Sequence, residues 1–333
     1  MKLATHIEHL QLRHTFTIAR SSEDVTRVVI GELEHDGIVG IGEASPSDFY
    51  DETCESVIDA LSGVDLSGLN PQNYHHLLEE AGRELGSTRA ALSVLDLAVH
   101  DWACRAIGKP LHRVLGLDPA RIPVSSFTVG ISELDHMVEK LQEASNYPVI
   151  KIKLGTPNDL EIVRALREHS SAVFRVDANC AWSADECIEK SRVLKDLGVE
   201  FIEQPLPPDR LDEMEKVFRE SSLPIIADES SMTPDDVPEL RERFHGINIK
   251  LVKCGGIAPA LRMVHLARSF GMRVMFGCMI ESSVAIGAAC EIGALADYLD
   301  LDGNVLITND PYLGVENRNG KLVLPEKGFV ERR

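Results

Sequence analysis

Short runs of branched apolar residues, each one strand–helix unit apart, dominate the chain from residue 122 onward. The predicted strands are 123–129, 149–153, 174–177, 201–203, 225–228, 247–250, 274–276 and 298–300. Segments with helical spacing of apolar residues, such as 184–197 and 258–270, fill the gaps between them. Strands that alternate with helices in this way form a parallel sheet, and eight of them predict a closed barrel of the TIM type.

The first 120 residues follow a different pattern, which predicts an antiparallel meander and then helices. Two alternating runs, 25–34 and 38–44, flank Asp36-Gly37, a strong hairpin signal. The helical segments that follow are 52–62, 74–85 and 87–107. Ser87 is a candidate N-cap for the third of these helices. A meander followed by helices is typical of an α+β domain.

We therefore expect an α+β domain over 1–120 and a barrel over 121–309. Asn319-Gly320 predicts a further hairpin in the tail, and we expect residues 310–333 to complete the first domain. Gly255-Gly256 follows the sixth barrel strand, but it is not part of a G-x-G-x-x-G fingerprint. The sequence therefore gives no support for a dinucleotide-binding fold.

Charged residues stand at the ends of five consecutive predicted strands. In chain order they are Lys153, Asp177, Glu203, Asp228 and Lys250. The carboxyl ends of barrel strands lie side by side at one mouth, so we expect three neighbouring carboxylates with a lysine on each flank. A single aspartate at a strand end is more often a helix cap, but crowded carboxylates repel unless a cation neutralises them. Hard oxygen ligands favour Mg²⁺, with Mn²⁺ as the alternative.

Lys151 and Lys153 are two positions apart in one apolar run, so their side chains point to the same face. An edge strand with solvated lysines has this pattern too, but the acidic strand ends downstream favour a buried strand. A divalent cation on a substrate carboxylate stabilises the enediolate left when an α-proton departs. Lys153 and Lys250, as bases on opposite faces, predict racemisation or epimerisation, with Lys151 easing deprotonation of Lys153. Lys253 is expected to anchor a loop.

Composition excludes several classes of function. The formal net charge of -19 argues against nucleic acid and anionic membranes as partners. The seven cysteines are dispersed without a C-x-x-C pair, which predicts free thiols in a reducing compartment. No apolar run approaches the roughly 20 residues of a membrane span, and the start lacks a signal-peptide core. We expect a cytoplasmic protein, and the sequence is compatible with a homo-oligomer.

Four features carry a family resemblance. They are the K-x-K pair at 151 and 153, the acidic trio, Ala227-Asp228-Glu229-Ser230, and Asn248-Ile249-Lys250. They resemble the muconate-lactonising branch of the enolase superfamily, whose chemistry combines lysine bases with Mg²⁺. The resemblance spans nearly the whole chain and implies a modified (β/α)7β barrel with an α+β capping domain. Two stretches, 277–283 and 300–303, are similar to dipeptide epimerases of the L-Ala-D/L-Glu epimerase type.

The resemblance implies that Asp300 and Asp302 hold the α-ammonium of a dipeptide substrate. Two carboxylates that face the same way can grip one ammonium through charge-assisted hydrogen bonds. A turn with Gly303 is the alternative reading. The leading hypothesis is Mg²⁺-dependent epimerisation of the C-terminal residue of a dipeptide. The rivals are o-succinylbenzoate synthesis, N-acylamino acid racemisation and muconate cycloisomerisation on the same scaffold, or a non-catalytic ligand-binding barrel.

Side-chain specificity is expected from two loops of the capping domain, with Cys278 and Met279 also close to the substrate. Arg20 in the first loop would pair with an acidic side chain. The second loop, 48–51, has two aspartates that suit a cationic side chain, whereas Phe49 and its neighbouring tyrosine suit an apolar one. These signals conflict, and the loop residues alone do not select an acidic, cationic or apolar side chain.

Overall fold

The computed structural model describes residues 1–19, 21–326 and 328–332. Arg20, which the sequence places in a specificity loop, lies outside the described residues. The chain begins with an antiparallel sheet of three strands in the order β1 (Lys2–Thr17), β2 (Ser22–His35) and β3 (Ile38–Ala44). Asp36 and Gly37 have φ angles of 50° and 74°, the positive values that a two-residue hairpin turn requires. The predicted hairpin is confirmed.

Helices cover one face of this sheet. They are α1 (Cys54–Gly63), α2 (Tyr74–Leu85) and α3 (Arg89–Ile107), followed by the short α4 (Leu111–Val114). The prediction of Ser87 as N-cap is wrong, because α3 starts two residues later and has Thr88 at its N-cap position without a side-chain cap bond. The Glu52 carboxylate instead accepts a hydrogen bond from Ala90 N at 3.0 Å. A cap supplied from a distant segment cannot be read from local spacing.

The second part of the chain alternates strands and helices. The elements are β4 (Phe127–Val129), α5 (Leu134–Glu143), β5 (Val149–Lys153), α6 (Asp159–His169), β6 (Val173–Asp177), α7 (Ala184–Asp196), β7 (Val199–Glu203), α8 (Met214–Glu220), β8 (Ile225–Ala227), α9 (Val237–Leu240), β9 (Gly246–Ile249), α10 (Leu251–Cys254), α11 (Ile257–Ser269), β10 (Arg273–Gly277), α12 (Ser283–Glu291) and β11 (Tyr298–Asp300). The eight strands are parallel and pair in chain order. A parallel bridge between Ser125 and Leu299 joins the first strand to the last, so the (β/α)7β barrel is confirmed.

The first barrel strand is shorter than predicted. Regular pairing begins only at Phe127, whereas the sequence predicts a strand from residue 123. Ser125 N donates to Gly320 O at 2.8 Å and Ser126 N donates to Leu299 O at 3.1 Å. The segment before Phe127 is therefore hydrogen-bonded to the tail and the last strand, outside the regular ladder.

The tail contacts both parts of the molecule. Its strands are β12 (Tyr312–Leu313), β13 (Glu316–Arg318), β14 (Lys321–Val323) and β15 (Glu331–Arg332). Strands β13 and β14 form the predicted hairpin, with positive φ at Asn319 and Gly320. Further on, Phe329 N donates to Asp101 Oδ1 of α3 at 2.9 Å.

The two faces of β5 lie in different environments. Ile150 and Ile152 are buried in the main apolar core, and Lys151 and Lys153 are buried on the other face. Since β5 pairs with a strand on each side, the edge-strand reading is excluded. A small apolar cluster of Phe201, Ile226, Met275 and Tyr298 is separate from the main core. All seven cysteines are free. Among the described residues, no helix combines the length and apolar character needed to cross a bilayer.

Candidate active site

Three carboxylates from neighbouring strands meet at one end of the barrel. Asp177 ends β6, Glu203 ends β7, and Asp228 directly follows β8. All three are buried, and one oxygen from each lies within 4.8 Å of the others. The strand pairing explains this arrangement, because Asp177 lies beside Glu203 in register. The trio therefore has the compactness that a single bound cation requires.

The electrostatics of the trio also fit a cation. Burial and the charge of Asp177 raise the pKa of Glu203 to about 7. Glu203 Oε2 is 2.9 Å from Lys151 Nζ, yet it accepts no well-directed hydrogen bond from a described residue. A buried carboxylate oxygen without a well-directed donor is costly even beside Lys151, and a bound cation would satisfy it. The all-oxygen donor set suits a hard divalent cation such as Mg²⁺.

Two lysines lie on opposite flanks of the trio. Lys153, at the end of β5, donates to Asp177 Oδ2 at 2.7 Å. Lys250, which follows β9, donates to Asp228 Oδ2 at 2.8 Å. Burial works to lower the pKa of Lys250, but the carboxylate of Asp228 outweighs it and raises that pKa above its ordinary value. The strand order β5-β6-β7-β8-β9 thus places a fixed amine on each side of the carboxylates.

Lys151 forms three ion pairs, with Asp300 at 2.6 Å, Glu203 at 2.9 Å and Asp177 at 3.2 Å. Burial opposes its charge, but these carboxylates dominate and raise the pKa of Lys151 well above its ordinary value. The sequence predicts that this charge eases deprotonation of Lys153. In the structure three carboxylates balance the positive charge of Lys151. Its repulsion of the Lys153 ammonium is therefore weaker than the sequence suggests.

Asp300 and Asp302 have different partners. Asp300 accepts from Lys151 through Oδ2 and from Ser126 Oγ through Oδ1, both at 2.6 Å. Asp302 Oδ2 accepts a hydrogen bond from Thr128 N at 2.6 Å. No described lysine or arginine forms an ion pair with Asp302, and burial together with the charge of Asp300 raises its pKa to about 7. Of the two aspartates, Asp302 is therefore the one without an ion-pair partner among the described residues.

The second capping loop lies near Lys250. Residues Asp48–Tyr50 form a single 3-10 turn in which the rings of Phe49 and Tyr50 meet edge to face at 5.1 Å, and Phe49 is 44% exposed. Tyr50 acts on the pKa of Lys250 in the same direction as Asp228 and raises it, so this loop lies beside the second lysine.

The first capping loop reaches the end of β5. A Cβ placed on Gly155, just beyond that strand, would lie 2.9 Å from Ala19 Cβ. Parts of both predicted specificity loops therefore lie at the barrel mouth.

Cys278 and Met279 follow β10 and lie beside the same groups. Cys278 Sγ donates to Asp300 O at 3.2 Å. Met279 Sδ is 3.9 Å from Lys250 Nζ. The structure thus brings these two predicted residues to the edge of the charged cluster.

Two supporting polar residues, Asn248 and Glu43, were missed by the sequence analysis, whereas the role expected of Lys253 agrees with its contacts. Asn248 Nδ2 donates to Glu203 Oε1 at 2.8 Å and orients that carboxylate. Its position two residues before Lys250, which gives both side chains the same facing, was the available signal. Lys253 Nζ donates to the backbone and side chain of Asp228 and to Ser231 O at 3.1 Å, which is the loop anchor that the sequence suggests.

Glu43, at the end of β3, is the second missed residue. Its carboxylate accepts from Ser282 N at 2.8 Å, Ser282 Oγ at 2.7 Å and Ala285 N at 2.9 Å, at the start of α12. Burial raises the pKa of Glu43 to about 7, although these hydrogen bonds oppose the shift. Glu43 ties the capping sheet to the segment that includes Met279. Nothing in its local sequence, Gly42-Glu43-Ala44, distinguishes it from a surface acid.

Comparison with known proteins assigns a protein family to each of the two parts of the chain. The mandelate racemase / muconate lactonizing enzyme N-terminal domain matches residues 2–116, and the enolase C-terminal domain-like family matches residues 133–327. An L-Ala-D/L-amino acid epimerase of a Maribacter species is 45% identical over 96% of this chain and 95% of the relative. A second enzyme of that name, from Flavobacterium johnsoniae, is 41% identical over 96% of each chain.

Two solved structures that are similar to this chain are also dipeptide epimerases. The dipeptide epimerase from Enterococcus faecalis, complexed with Mg and L-Leu-L-Tyr, superposes with a TM-score of 0.92 at 30% identity, over 98% of this chain and 97% of that one. The dipeptide epimerase from Methylococcus capsulatus, complexed with Mg and L-Arg-D-Lys, gives 0.89 at 32% identity over 98% of both chains. This chain is an isomerase that belongs to the enolase superfamily, within its group of dipeptide epimerases.

Proposed function

We propose that this enzyme epimerises the C-terminal residue of a dipeptide by 1,1-proton transfer between two lysines, through an enediolate, with Mg²⁺ as cofactor. The observation that carries the proposal is the position of Lys153 and Lys250, each hydrogen-bonded to an outer member of one carboxylate trio. A barrel that only binds a ligand has no need for an amine on each side of its carboxylates. The arrangement therefore favours catalysis over a passive binding role.

The cofactor would be held by Asp177, Glu203 and Asp228. The Mg²⁺ complexes of the Enterococcus and Methylococcus enzymes support this assignment. When bound, Mg²⁺ supplies positive charge that stabilises the negative charge developing on the substrate carboxylate as the α-proton leaves. Asn248 holds Glu203 in position for this role through its 2.8 Å hydrogen bond.

The two lysines would transfer the proton. One amine removes the α-proton from its side of the substrate carbon, and the ammonium on the other side returns a proton to the opposite face. The hydrogen bonds to Asp177 and Asp228 fix the two Nζ atoms, so that little motion is needed at the moment of transfer. Inversion at the carbon follows from this opposition, and the same pair serves the reverse reaction.

Asp300 and Asp302 would hold the free α-ammonium of the dipeptide. Asp302 makes the main contact, because it is buried without a cationic partner among the described residues. Asp300 acts beside it while it also binds Lys151. A substrate ammonium would satisfy Asp302 and favour its ionised form.

The substrate class proposed is L-alanine followed by a range of second residues. Enzymes named L-Ala-D/L-amino acid epimerase are 45%, 41% and 40% identical to this chain. Enzymes named for hydrophobic dipeptides or for L-Lys-D/L-Arg are 36% identical or less. The half-exposed ring of Phe49 at the barrel mouth suits an apolar contact with the second side chain.

A panel of L-Ala-X dipeptides incubated with the enzyme and Mg²⁺ in deuterated water tests the proposal. We expect one deuterium to enter the α-position of the C-terminal residue, read by mass spectrometry, with formation of the L,D isomer. The N-acetylated counterparts should exchange far more slowly, because they lack the ammonium that Asp302 would hold. Exchange confined to the acetylated compounds would favour N-acylamino acid racemisation. The absence of exchange across the panel would favour a binding barrel.

A further inference from the structure

A cavity of about 320 Å³, separate from the active site, lies between the capping domain and the barrel. Its walls come from α2, α3, α4 and α11, and none of the described residues that line it belongs to a barrel strand or to the active site. Most of the lining is apolar, with Cys104, Leu111 and Leu261 among it. At its edge Ile107 and Val114 are 57% and 50% exposed. The volume is within the range of small-molecule sites, about 300–1,000 Å³.

Basic side chains lie around this cavity. His75 comes from α2, and Arg262 and His265 come from α11. None of the three forms an ion pair with a described carboxylate. Arg262 is therefore a cation without an ion-pair partner among the described residues, in a chain whose formal net charge is -19. Positive charge beside apolar walls is complementary to an anion that has an apolar body.

His100 adds a buried donor to the same cavity. It is 5% exposed, and its Nδ1 lies 2.8 Å from Asp96 O and 3.1 Å from Asp96 Oδ1. Burial works to lower the pKa of His100, but Asp96 outweighs it and raises that pKa, which favours the imidazolium. Both polar contacts use Nδ1, and Nε2 has no hydrogen-bond partner among the described residues. An unpaired donor in an apolar cavity is costly unless a ligand oxygen or water accepts from it.

The groups around the cavity are held on rigid helices. Asp96, which holds His100, also accepts from Ile257 N at 2.7 Å and Ala258 N at 3.2 Å, at the start of α11. The same carboxylate therefore fixes the helix that carries Arg262. A site built on packed helices is pre-organised, so little ordering is needed when a ligand enters.

We propose that this cavity binds a small amphipathic anion, namely a carboxylate carried on an apolar chain or ring. The imidazolium of His100 donates to the carboxylate, and Arg262 adds positive charge. The apolar body lies against Leu111 and Leu261. The site is separate from the catalytic centre and needs neither the cofactor nor the dipeptide.

Isothermal titration of the full chain with sodium octanoate tests this proposal. We expect one octanoate per chain, with octanol and acetate each at least tenfold weaker, because one lacks the charge and the other lacks the apolar body. Equal binding of octanol and octanoate would overturn the proposal, as would the absence of octanoate binding at millimolar concentration.

Variants locate the binding. Arg262→Gln, at an exposed position, should weaken octanoate about tenfold, and Ala103→Phe should fill the cavity and abolish binding. Arg219→Gln, on α8 and also exposed, is the matched control and should change nothing. Lys153→Ala should bind octanoate as the wild type does. Loss of octanoate binding in Lys153→Ala, or unchanged binding in both cavity variants, would place the ligand elsewhere and contradict the proposal.

Discussion

Lys151 Nζ lies 2.6 Å from Asp300 Oδ2, and this ion pair separates the roles of two aspartates that the sequence treats alike. The carboxylate of Asp300 is already paired with the buried ammonium of Lys151. Asp302, two residues further on, accepts from the backbone N–H of Thr128 and forms no ion pair with a described residue. Removing the charge of Asp300 leaves a buried lysine with one ion-pair partner fewer, whereas removing the charge of Asp302 breaks no ion pair with a described residue. We therefore expect the first substitution to affect stability and the second to affect substrate binding.

Asp302→Asn should raise KM for a free dipeptide by about ten- to hundredfold, with a smaller change in kcat, because a charge-assisted hydrogen bond to the ammonium is lost. The wild-type pKa of about 7 adds a pH dependence. As pH falls through this value the carboxyl gains a proton, so the wild-type KM should rise. Steady-state kinetics of the wild type and the variant at pH values on both sides of 7 measure the rise in KM and its pH dependence. A variant that keeps the wild-type KM and its pH dependence would remove Asp302 from the ammonium site.

Asp300→Asn should act mainly on stability. The substitution leaves Lys151 buried with one carboxylate fewer, and breaking a buried ion pair from one side costs about 3–5 kcal/mol. Equilibrium unfolding in urea measures the loss. Asp185→Asn, which removes an exposed partner of Lys216, is the control and should change stability by less than about 1 kcal/mol. Equal losses in the two variants would contradict the buried pair.

Metal binding should stabilise the wild type through the acidic trio. At a Mg²⁺ concentration of about 100 Kd, the free energy of unfolding should rise by about 2.7 kcal/mol, and a chelator should remove both this gain and the activity. Glu203→Gln should lose most of the gain. Glu200→Gln, in the same strand but paired with Arg175, should keep it. An unchanged response in Glu203→Gln would exclude Glu203 as a ligand.

Glu43 should make stability fall as pH rises. Its pKa is about 7 in the folded chain against an ordinary 4.5, so the folded state binds the proton more tightly between these values. Its contribution is therefore complete below pH 4.5 and is lost as pH rises to 7, by on the order of 3 kcal/mol. Unfolding curves of the wild type and Glu43→Gln from about pH 5 to pH 8 measure this difference. A constant gap between the two would show that Glu43 does not titrate in this range.

Much of the fold and the charged rim could be predicted from the sequence, because both follow from local periodicity. Strand spacing placed Lys153, Asp177, Glu203, Asp228 and Lys250 at consecutive strand ends, and barrel topology brings such positions together. The first strand was overextended because residues before Phe127 bond to the tail, a contact that has no local signature.

The partners of the site residues were beyond sequence reasoning. The ion pairs of Lys151 join residues up to 149 positions apart, and the Glu43 contacts to Ser282 span 239. The alternation of side chains along β5 predicts the face on which Lys151 lies. It does not predict which carboxylates pair with Lys151 on that face. Likewise, the expected help from Lys151 to Lys153 assumed that its charge was unbalanced, which only the three-dimensional neighbourhood could correct.

Isomer-resolved deuterium exchange in Lys153→Ala and Lys250→Ala tests the central claim most directly. With L-Ala-L-X and L-Ala-D-X in deuterated water, both variants should lose epimerisation by about a thousandfold. Each variant should still exchange the α-proton of one isomer, the one that its remaining lysine faces, and the two variants should retain opposite isomers. If both variants exchange the same isomer, or if either still converts one isomer into the other at the wild-type rate, then the two lysines do not act from opposite faces.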